Sequence, residues 1–205
     1  MKINPDEITV DAVTANSATL SWDKKYLETS YIVKVSSEPM EDMTAEADIY
    51  DGEVALEGDE TTINITDLSA ATFYYVYVQS NCGAEDWTEG YFATECDGSA
   101  YPVPFVETFD MTSNSVLCWT IIDANDDANE SGNGAWNFDG EQVFYYYNSY
   151  SAANDWLISP KIAVVDGSYL SFDYAARSSY YPEKFSVYVM TDIADYATAT
   201  QIRAT

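Results

Sequence analysis

In the stretch LSAATFYYVYV at residues 68–78, the side chains of Leu68, Tyr74, Val76 and Val78 are apolar or aromatic and lie an even number of positions apart. Successive side chains of a β-strand point to opposite faces, so Tyr74, Val76 and Val78 share one face. Aromatic and β-branched residues in this alternation are typical of a strand with one buried and one solvated face. The stretch therefore predicts a β-strand, and the same alternation recurs in the segments before it.

Four upstream segments repeat the pattern. The residues that share a face in each segment are Ile8 and Val10; Ala18, Leu20 and Trp22; Tyr31, Val33 and Val35; and Ile63 and Ile65. Pro39 and the acidic stretch 41–48 interrupt the series. Short strands separated by turn signals at this spacing predict a β-sandwich.

This arrangement resembles the fibronectin type III domain. The residues that carry the resemblance are Trp22, Leu68, Thr72, Tyr74, Val76 and Val78. The resemblance implies an immunoglobulin-like sandwich over residues 1–97, in which the hydroxyl of Tyr74 bonds back to the backbone at a strand corner. Ala70 stands where the family usually has proline. A fold of this kind does not by itself specify a function.

The composition of the chain argues against several classes of binding partner and of catalytic chemistry. Of 205 residues, 47% are hydrophobic and 18 are tyrosine, which suits one or two β-rich domains. Thirty-five acidic residues against eight basic ones give a net charge of −27, so we expect no nucleic-acid partner and no membrane insertion. The chain has no histidine, which excludes Ser-His-Asp and Cys-His catalysis and histidine-ligated zinc. The composition leaves paired-carboxylate glycosidase chemistry open, but no poised base or nucleophile is evident, so we predict that the chain is not an enzyme.

A second module is predicted after a short linker at residues 98–103. Within it, PFVETFD at 104–110 and SYLSFDYAAR at 168–177 are predicted to be strands. The motif DWLISP at 155–160 is followed by YLSFDYAARS at 169–178 and PEKFSVYV at 182–189. This order resembles the jelly-roll modules called cleaved-adhesin or choice-of-anchor J, found on large secreted and surface proteins of Bacteroidetes-type bacteria. The resemblance implies an all-β chain in which a partial jelly-roll β-sandwich at 104–205 follows the first domain. That family needs further strands, so we expect the module to be incomplete at its C-terminus.

The jelly-roll resemblance also implies a structural Ca²⁺ where the first strand meets later loops. Glu107 and Asp155 are the carboxylates it selects, with Asp110 and Asn154 as helpers. Backbone carbonyls would complete the six to eight oxygens that Ca²⁺ prefers. A strand or turn role for these acids remains the alternative.

A second candidate calcium loop follows from the residues alone. Asp123, Asn125 and Asp127 occupy alternate positions, like the opening of a calcium-binding loop. The EF-hand pattern then fails, because Ala128 stands where it needs glycine and Gly134 where it needs glutamate. A solvated acidic loop with Asx turns is the other interpretation.

Exposed aromatic residues suggest a recognition surface in the second module. Aromatic rings can stack on sugars and anchor protein partners. The candidate ligand-binding residues are Trp136, Tyr150, Arg177, Tyr180 and Tyr181. Core packing is the alternative for those that lie within strands.

The three cysteines suggest an oxidising compartment. Cys82 and Cys96 flank the last strand pattern of the first domain, so we predict a disulfide between them. Cys118 lies in the apolar run VLCWTII, which predicts an unbridged buried thiol.

These features together predict an extracellular binding or adhesion region. The jelly-roll resemblance implies a secreted or cell-surface protein. Residues 1–5 contain no apolar leader and no segment reaches transmembrane length, so we expect its leader and anchor to lie outside this chain. The expected partners are host proteins or glycans, bound by a monomeric module within a longer chain. Two alternatives stay open: an accessory region of a larger secreted peptidase or glycosidase, and a ligand-free structural stalk.

Overall fold

The computed structural model describes residues 4–24, 28–56, 61–82, 86–110, 112–176 and 184–204. For residues 203 and 204 it describes the backbone only. The fold is all-β, as predicted, with two short 3-10 helices in the described residues, at Asn114–Cys118 and Ile193–Thr198. The chain forms two compact units. Unit 1 comprises Met1–Gly98, Glu107–Cys118 and Asp139–Gln142, and unit 2 comprises Ser99–Val106, Trp119–Phe138 and Val143–Thr205.

Unit 1 contains two antiparallel sheets. Its strands are β1 (Thr9–Val13), β2 (Ser17–Ser21), β3 (Ser30–Ser36), β4 (Tyr50–Ala55), β5 (Thr62–Thr66), β6 (Phe73–Ser80) and β7 (Thr88–Ala93). One sheet has the order β1-β2-β5 and the other the order β4-β3-β6-β7. This is the two-sheet arrangement of a β-sandwich.

The core of unit 1 consists of the alternating residues identified in the sequence. Its buried cluster is Ala18, Leu20, Trp22, Tyr31, Val33, Val35, Ile65, Leu68, Tyr74, Val76, Val78 and Phe92. The strand registers Val33↔Val78 and Val35↔Val76 place β-branched side chains directly opposite each other on this inner face. Such cross-strand pairs are the unit of sheet stabilisation. The predicted sandwich core is therefore confirmed.

The outer face of β6 is partly covered by the loop 37–49. The hydroxyl of Tyr77 accepts a hydrogen bond from the backbone N–H of Met40 at 2.9 Å. Lys34, which is also buried, donates to the carbonyl of Ala45 at 2.8 Å and forms an ion pair with Asp51. The hydrogen bond from Lys34 lowers the pKa of Asp51. Tyr77 therefore packs against its own unit rather than facing a ligand.

Tyr74 makes the corner contact that the sequence predicted. Its ring is buried, and its hydroxyl accepts the backbone N–H of Ser69 at 2.9 Å.

We expect Tyr74→Phe to lower the free energy of unfolding by about 1 kcal/mol, because the Ser69 N–H loses its partner. Urea denaturation measures this change, with Tyr91→Phe on the exposed surface as the control. Equal stability of the two variants would contradict a contribution from the corner bond.

Unit 2 is built from paired short strands. They are β8 (Tyr101–Pro102), β9 (Thr120–Asp123), β10 (Ala135–Phe138), β11 (Val143–Tyr146), β12 (Asp155–Ile158), β13 (Ile162–Ala163), β14 (Ser186–Val189) and β15 (Thr200–Ala204). The pairs are β8 with β13, β9 with β12, β10 with β11, and β14 with β15. Only the first pair is parallel among these four.

The predicted strand PFVETFD at 104–110 is not a strand. Phe109 has a φ of 57°, which takes the backbone out of the extended region. The Glu107 carboxylate accepts the Phe109 N–H, and the Asp110 carboxylate accepts the Thr112 N–H, so both acids stabilise turns. The segment 168–176 also differs from prediction, because it pairs with no described strand.

The predicted Cys82–Cys96 disulfide is wrong. Cys96 is bonded to Cys118, with a Cα–Cα distance of 5.8 Å, so Cys118 is not an unbridged thiol. The reason is the antiparallel hairpin of β6 and β7. Cys82 follows the end of β6, whereas Cys96 lies beyond Ala93, which pairs with Phe73 at the start of β6. The eight residues of β6 span about 25 Å, far beyond the reach of a disulfide.

Candidate metal centre

Three carboxylates converge in unit 2. One oxygen from each of Asp123, Asp127 and Asp155 lies within 4.8 Å of the others. Asp123 ends β9, Asp155 begins β12, and the two are direct partners in the antiparallel register. Facing residues in such a pair have their Cβ atoms about 5 Å apart, so the strand register itself brings two acids together.

The loop after β9 supplies the third carboxylate. The Asp123 carboxylate accepts the N–H groups of Asn125, at 3.2 Å, and Ala128, at 2.8 Å, which folds the loop back on the strand end. Gly134 has a φ of +77°, and a Cβ there would lie 2.8 Å from the carbonyl oxygen of Asp127. Glycine at this position therefore permits the close approach that places Asp127 beside the other two acids.

The electrostatics of the centre are uneven. Backbone N–H donors, first that of Ala128, lower the pKa of Asp123. Burial raises the pKa of Asp155, and the charges of Asp123 and Asp127 raise it further, against a hydrogen bond from the Tyr145 hydroxyl. Asp155 therefore holds its negative charge less readily than Asp123 does.

Several oxygens of the centre lack hydrogen-bond donors. In the described part of the chain, both carboxylate oxygens of Asp127, Oδ1 of Asp155 and Oδ1 of Asn125 are buried without a partner. Burying such acceptors unsatisfied costs free energy, and more so for charged groups. A donor-free set of hard oxygens is what Ca²⁺ binds in proteins. The chemistry of the set fits a hard cation and offers no nitrogen or sulfur ligand.

The centre combines residues from the two predicted calcium sites. Asp155 comes from the first set, and Asp123 and Asp127 come from the alternative loop, with Asn125 adjacent. Asn154 lies next to the centre, where its backbone carbonyl accepts the Ala124 N–H at 3.0 Å and its own N–H donates to Oδ2 of Asp155 at 3.2 Å. Residues Glu107 and Asp110 do not belong to the cluster. They accept local hydrogen bonds in unit 1, including one from the Ser115 hydroxyl to Glu107 at 2.6 Å.

Two aromatic residues hold Asp155 in place. Trp136 donates its indole N–H to the Asp155 carbonyl at 3.3 Å, and Tyr145 donates its hydroxyl to Oδ2 at 3.0 Å. Their rings meet edge to face at 5.6 Å, because Trp136 and Tyr145 are cross-strand partners. Trp136, predicted as a ligand-binding residue, is half-buried and packs against Tyr145. The aromatic strand pattern includes Tyr145, but its hydrogen bond to the Asp155 carboxylate was not predicted.

The remaining predicted ligand-binding residues lie elsewhere. Tyr150 is 98% exposed, in the loop after β11. Arg177, Tyr180 and Tyr181 lie outside the described residues. No helix among the described residues is long and apolar enough to cross a membrane.

Comparison with known proteins identifies the first domain. Residues 4–93 match the family model of the fibronectin type III domain. Similar solved structures include the fibronectin type III domain of the human collagen alpha-1(XX) chain, at 25% identity, 47% coverage of this chain, 88% of that chain and a TM-score of 0.36. A segment of two such domains from chicken tenascin has 26% identity, 44% and 49% coverage, and a TM-score of 0.33. Comparison with curated proteins finds no match.

The family match agrees with the core of unit 1 and with the bond between Ser69 and the Tyr74 hydroxyl. Domains of this family are typically extracellular and non-catalytic, which is consistent with a binding or structural region. Residues 4–93 of this chain are a fibronectin type III domain.

Proposed function

We propose that this chain is a non-catalytic extracellular binding or adhesion region whose unit 2 is stabilised by a structural Ca²⁺. The observation that carries the proposal is the set of buried, donor-free oxygens on Asp127, Asp155 and Asn125. Three converging carboxylates repel one another, and a divalent cation replaces that repulsion with attraction. The chain's net charge of −27 adds to the benefit of a bound cation.

The oxygen set favours Ca²⁺ over other common ions. Zn²⁺ sites mainly use cysteine sulfur and histidine nitrogen as ligands, whereas the cluster contains only carboxylates. Mg²⁺ demands a compact octahedron and keeps several waters, whereas Ca²⁺ accepts irregular sets of carboxylate, amide and carbonyl oxygens. Asp123, Asp127 and Asp155 would hold the ion, with Asn125 as a further oxygen donor. The ion would join the loop after β9 to the start of β12.

We also propose that unit 2 is a jelly-roll module of the cleaved-adhesin or choice-of-anchor J type. The motif DWLISP at 155–160 supports this, because it supplies β12 and its first residue joins the carboxylate cluster. Host proteins or glycans are the partners that such a role implies. An accessory role beside a secreted peptidase or glycosidase, or a ligand-free stalk, would use the same calcium site.

The calcium site is tested by thermal unfolding of the full chain after removal of metal ions. Calcium at 100 times its Kd is expected to stabilise unit 2 by about 2.7 kcal/mol, which is a rise of roughly 10–20 °C in its Tm. Asp127→Asn is expected to abolish most of this rise, because it removes one charge from the ligand set. Isothermal titration calorimetry measures the Kd directly.

Two controls separate the site from general screening of negative charge. Asp126→Asn removes an exposed carboxylate from the same loop, and Asn tolerates the positive φ of 53° at that position. Glu107→Gln removes a carboxylate of the first predicted set. Both variants are expected to keep the full calcium response. A wild-type chain without any response, or an Asp127→Asn variant with an undiminished one, would refute the site.

A further inference from the structure

A cluster of exposed tyrosines lies beside the carboxylate centre. The residues 146–152, here called the tyrosine loop, follow β11 and present Tyr146, Tyr147 and Tyr150 to solvent. Their side chains are 37%, 60% and 98% exposed. Large aromatic side chains concentrated on a surface mark interaction sites more often than singly scattered ones do.

The tyrosine loop differs from the rest of the chain in charge. Residues 142–154 contain no acidic or basic side chain, although 21% of the whole chain is charged. Asn148 and Ser149 stand between Tyr147 and Tyr150, and Ser151 follows Tyr150. Rigid tyrosine rings interleaved with serine and asparagine are the composition of antibody recognition loops, where rings supply contact area and small polar groups supply adaptable hydrogen bonds.

The loop after β9, residues 124–134, is hydrogen-bonded to the tyrosine loop. Asn148 donates its side-chain amide to the Asp127 carbonyl at 3.0 Å, and the Gly134 N–H donates to the Tyr146 carbonyl at 2.6 Å. Asn125 donates to the Ala152 carbonyl, also at 3.0 Å. Two of the residues in these bonds, Asn125 and Asp127, carry the buried donor-free oxygens of the centre. Direct hydrogen bonds therefore connect the residues of the carboxylate centre to the tyrosine loop.

We propose that the tyrosine loop binds a neutral glycan, and that a cation at Asp123, Asp127 and Asp155 strengthens this binding by ordering the loop beforehand. The second part rests on the calcium site proposed above. Ordering the loop before the ligand arrives removes part of the entropy cost of binding. The ligand class follows from the chemistry of the loop. Aromatic faces stack on the C–H faces of sugar rings, and amide and hydroxyl groups bond sugar hydroxyls.

Charge and size exclude the other ligand classes. A chain with a net charge of −27 repels sialylated or sulfated sugars, and residues 142–154 contain no base to bind them. The same residues contain no carboxylate for a cationic ligand. Three tyrosines bury roughly 450–750 Å², which is below the ~800 Å² per partner of a standard protein interface. A short neutral oligosaccharide matches both the area and the absence of charge.

The experiment measures binding of the full chain to neutral hexasaccharides of glucose, mannose and galactose by isothermal titration calorimetry, with calcium and with EDTA. At least one hexasaccharide is expected to bind in calcium, and Tyr147→Ala and Tyr150→Ala are each expected to weaken it at least tenfold. Tyr169→Ala, at a tyrosine of unit 2 that is 89% exposed, is the matched control and is expected to leave the Kd unchanged. EDTA and Asp127→Asn are both expected to weaken glycan binding, and by factors similar to each other, because each removes the cation.

The outcomes distinguish this inference from the calcium site. A Tm that responds to calcium in a chain that binds none of the hexasaccharides would refute glycan binding and leave the metal site standing. Capture of a protein partner through the tyrosines, with no glycan bound, would also overturn it. Glycan binding of equal Kd in calcium and EDTA would refute the coupling. Equal weakening by Tyr169→Ala would show that the tyrosine loop is not the binding surface.

Discussion

Replacing Cys96 and Cys118 by serine is expected to lower the free energy of unfolding of unit 1 by about 3 kcal/mol, since the bridge closes a loop between residues 22 positions apart. The bridge restricts the unfolded chain, and in the folded state it ties residues 107–118 to the end of the sandwich. Urea denaturation of the full chain with and without the bridge measures the difference. Peptide mapping under non-reducing conditions tests the pairing itself.

The remaining cysteine provides the control for this prediction. Cys82 is exposed and takes no part in the bridge, so Cys82→Ser is expected to change stability by less than about 0.5 kcal/mol. A peptide that joins Cys82 to Cys96 would contradict the hairpin geometry described above. Equal stability of the wild type and the double variant would show that the bridge contributes nothing to unit 1.

Asp155→Asn is expected to have opposite effects with and without calcium. Burial and the charges of Asp123 and Asp127 raise the pKa of Asp155, so its ionised form opposes folding in the metal-free protein. Asparagine removes that charge and still offers an oxygen to the Tyr145 hydroxyl, so the metal-free Tm at neutral pH should rise. With calcium the same change removes a charged ligand, and the variant should lose most of the roughly 2.7 kcal/mol that the wild type gains at 100 times its Kd.

The pH dependence of this effect has a definite sign. Between the ordinary pKa of an aspartate and the raised value of Asp155, the native state binds more protons than the unfolded state. Metal-free stability therefore falls as pH rises through this window. The advantage of Asp155→Asn should disappear below the ordinary pKa, where the wild-type carboxyl is protonated in both states. Asp123 acts in the opposite direction, because its lowered pKa contributes stability that is lost as pH falls.

Melting curves from pH 3 to pH 8, in EDTA and in calcium, measure both effects. Asp126→Asn is the control, since it removes one charge from the same loop outside the cluster. It should leave the calcium response at its wild-type size. If Asp155→Asn lowered the metal-free Tm at neutral pH, the inferred repulsion among the three acids would be wrong. If its calcium response matched that of the wild type, Asp155 would not be a ligand.

Local pattern was enough to predict the first sandwich, although not the segments 107–118 and 139–142 that also belong to unit 1. Strand alternation has a period of two residues, so each segment by itself shows which side chains share a face. The positions of Trp22, Leu68 and Tyr74 then sufficed for the fibronectin type III prediction, and all three are buried in the core. The pattern failed at 104–110, where carboxylates that cap turns compete with the extended backbone.

The metal centre shows the limit of this reasoning. The individual acids were all found in the sequence, but they were divided between the wrong sets. Asp123 and Asp155, 32 positions apart in the sequence, meet only because β9 and β12 pair in one register, and a shift of one residue would separate them. The EF-hand template could not reveal this, because it describes ligands within one continuous loop.

Residue types and their spacing in this chain were sufficient for the all-β class, the first sandwich with its core, the exclusion of histidine chemistry and the acidic surface. Tertiary structure alone decided which acids converge, which cysteines join and which tyrosines face solvent. The physical reason is the sequence separation over which each effect acts. The alternation of side chains along a strand and the formation of turns depend on residues only a few positions apart. Partners such as Cys96 with Cys118, or Asp127 with Asp155, are set by strand register and loop closure over tens of residues.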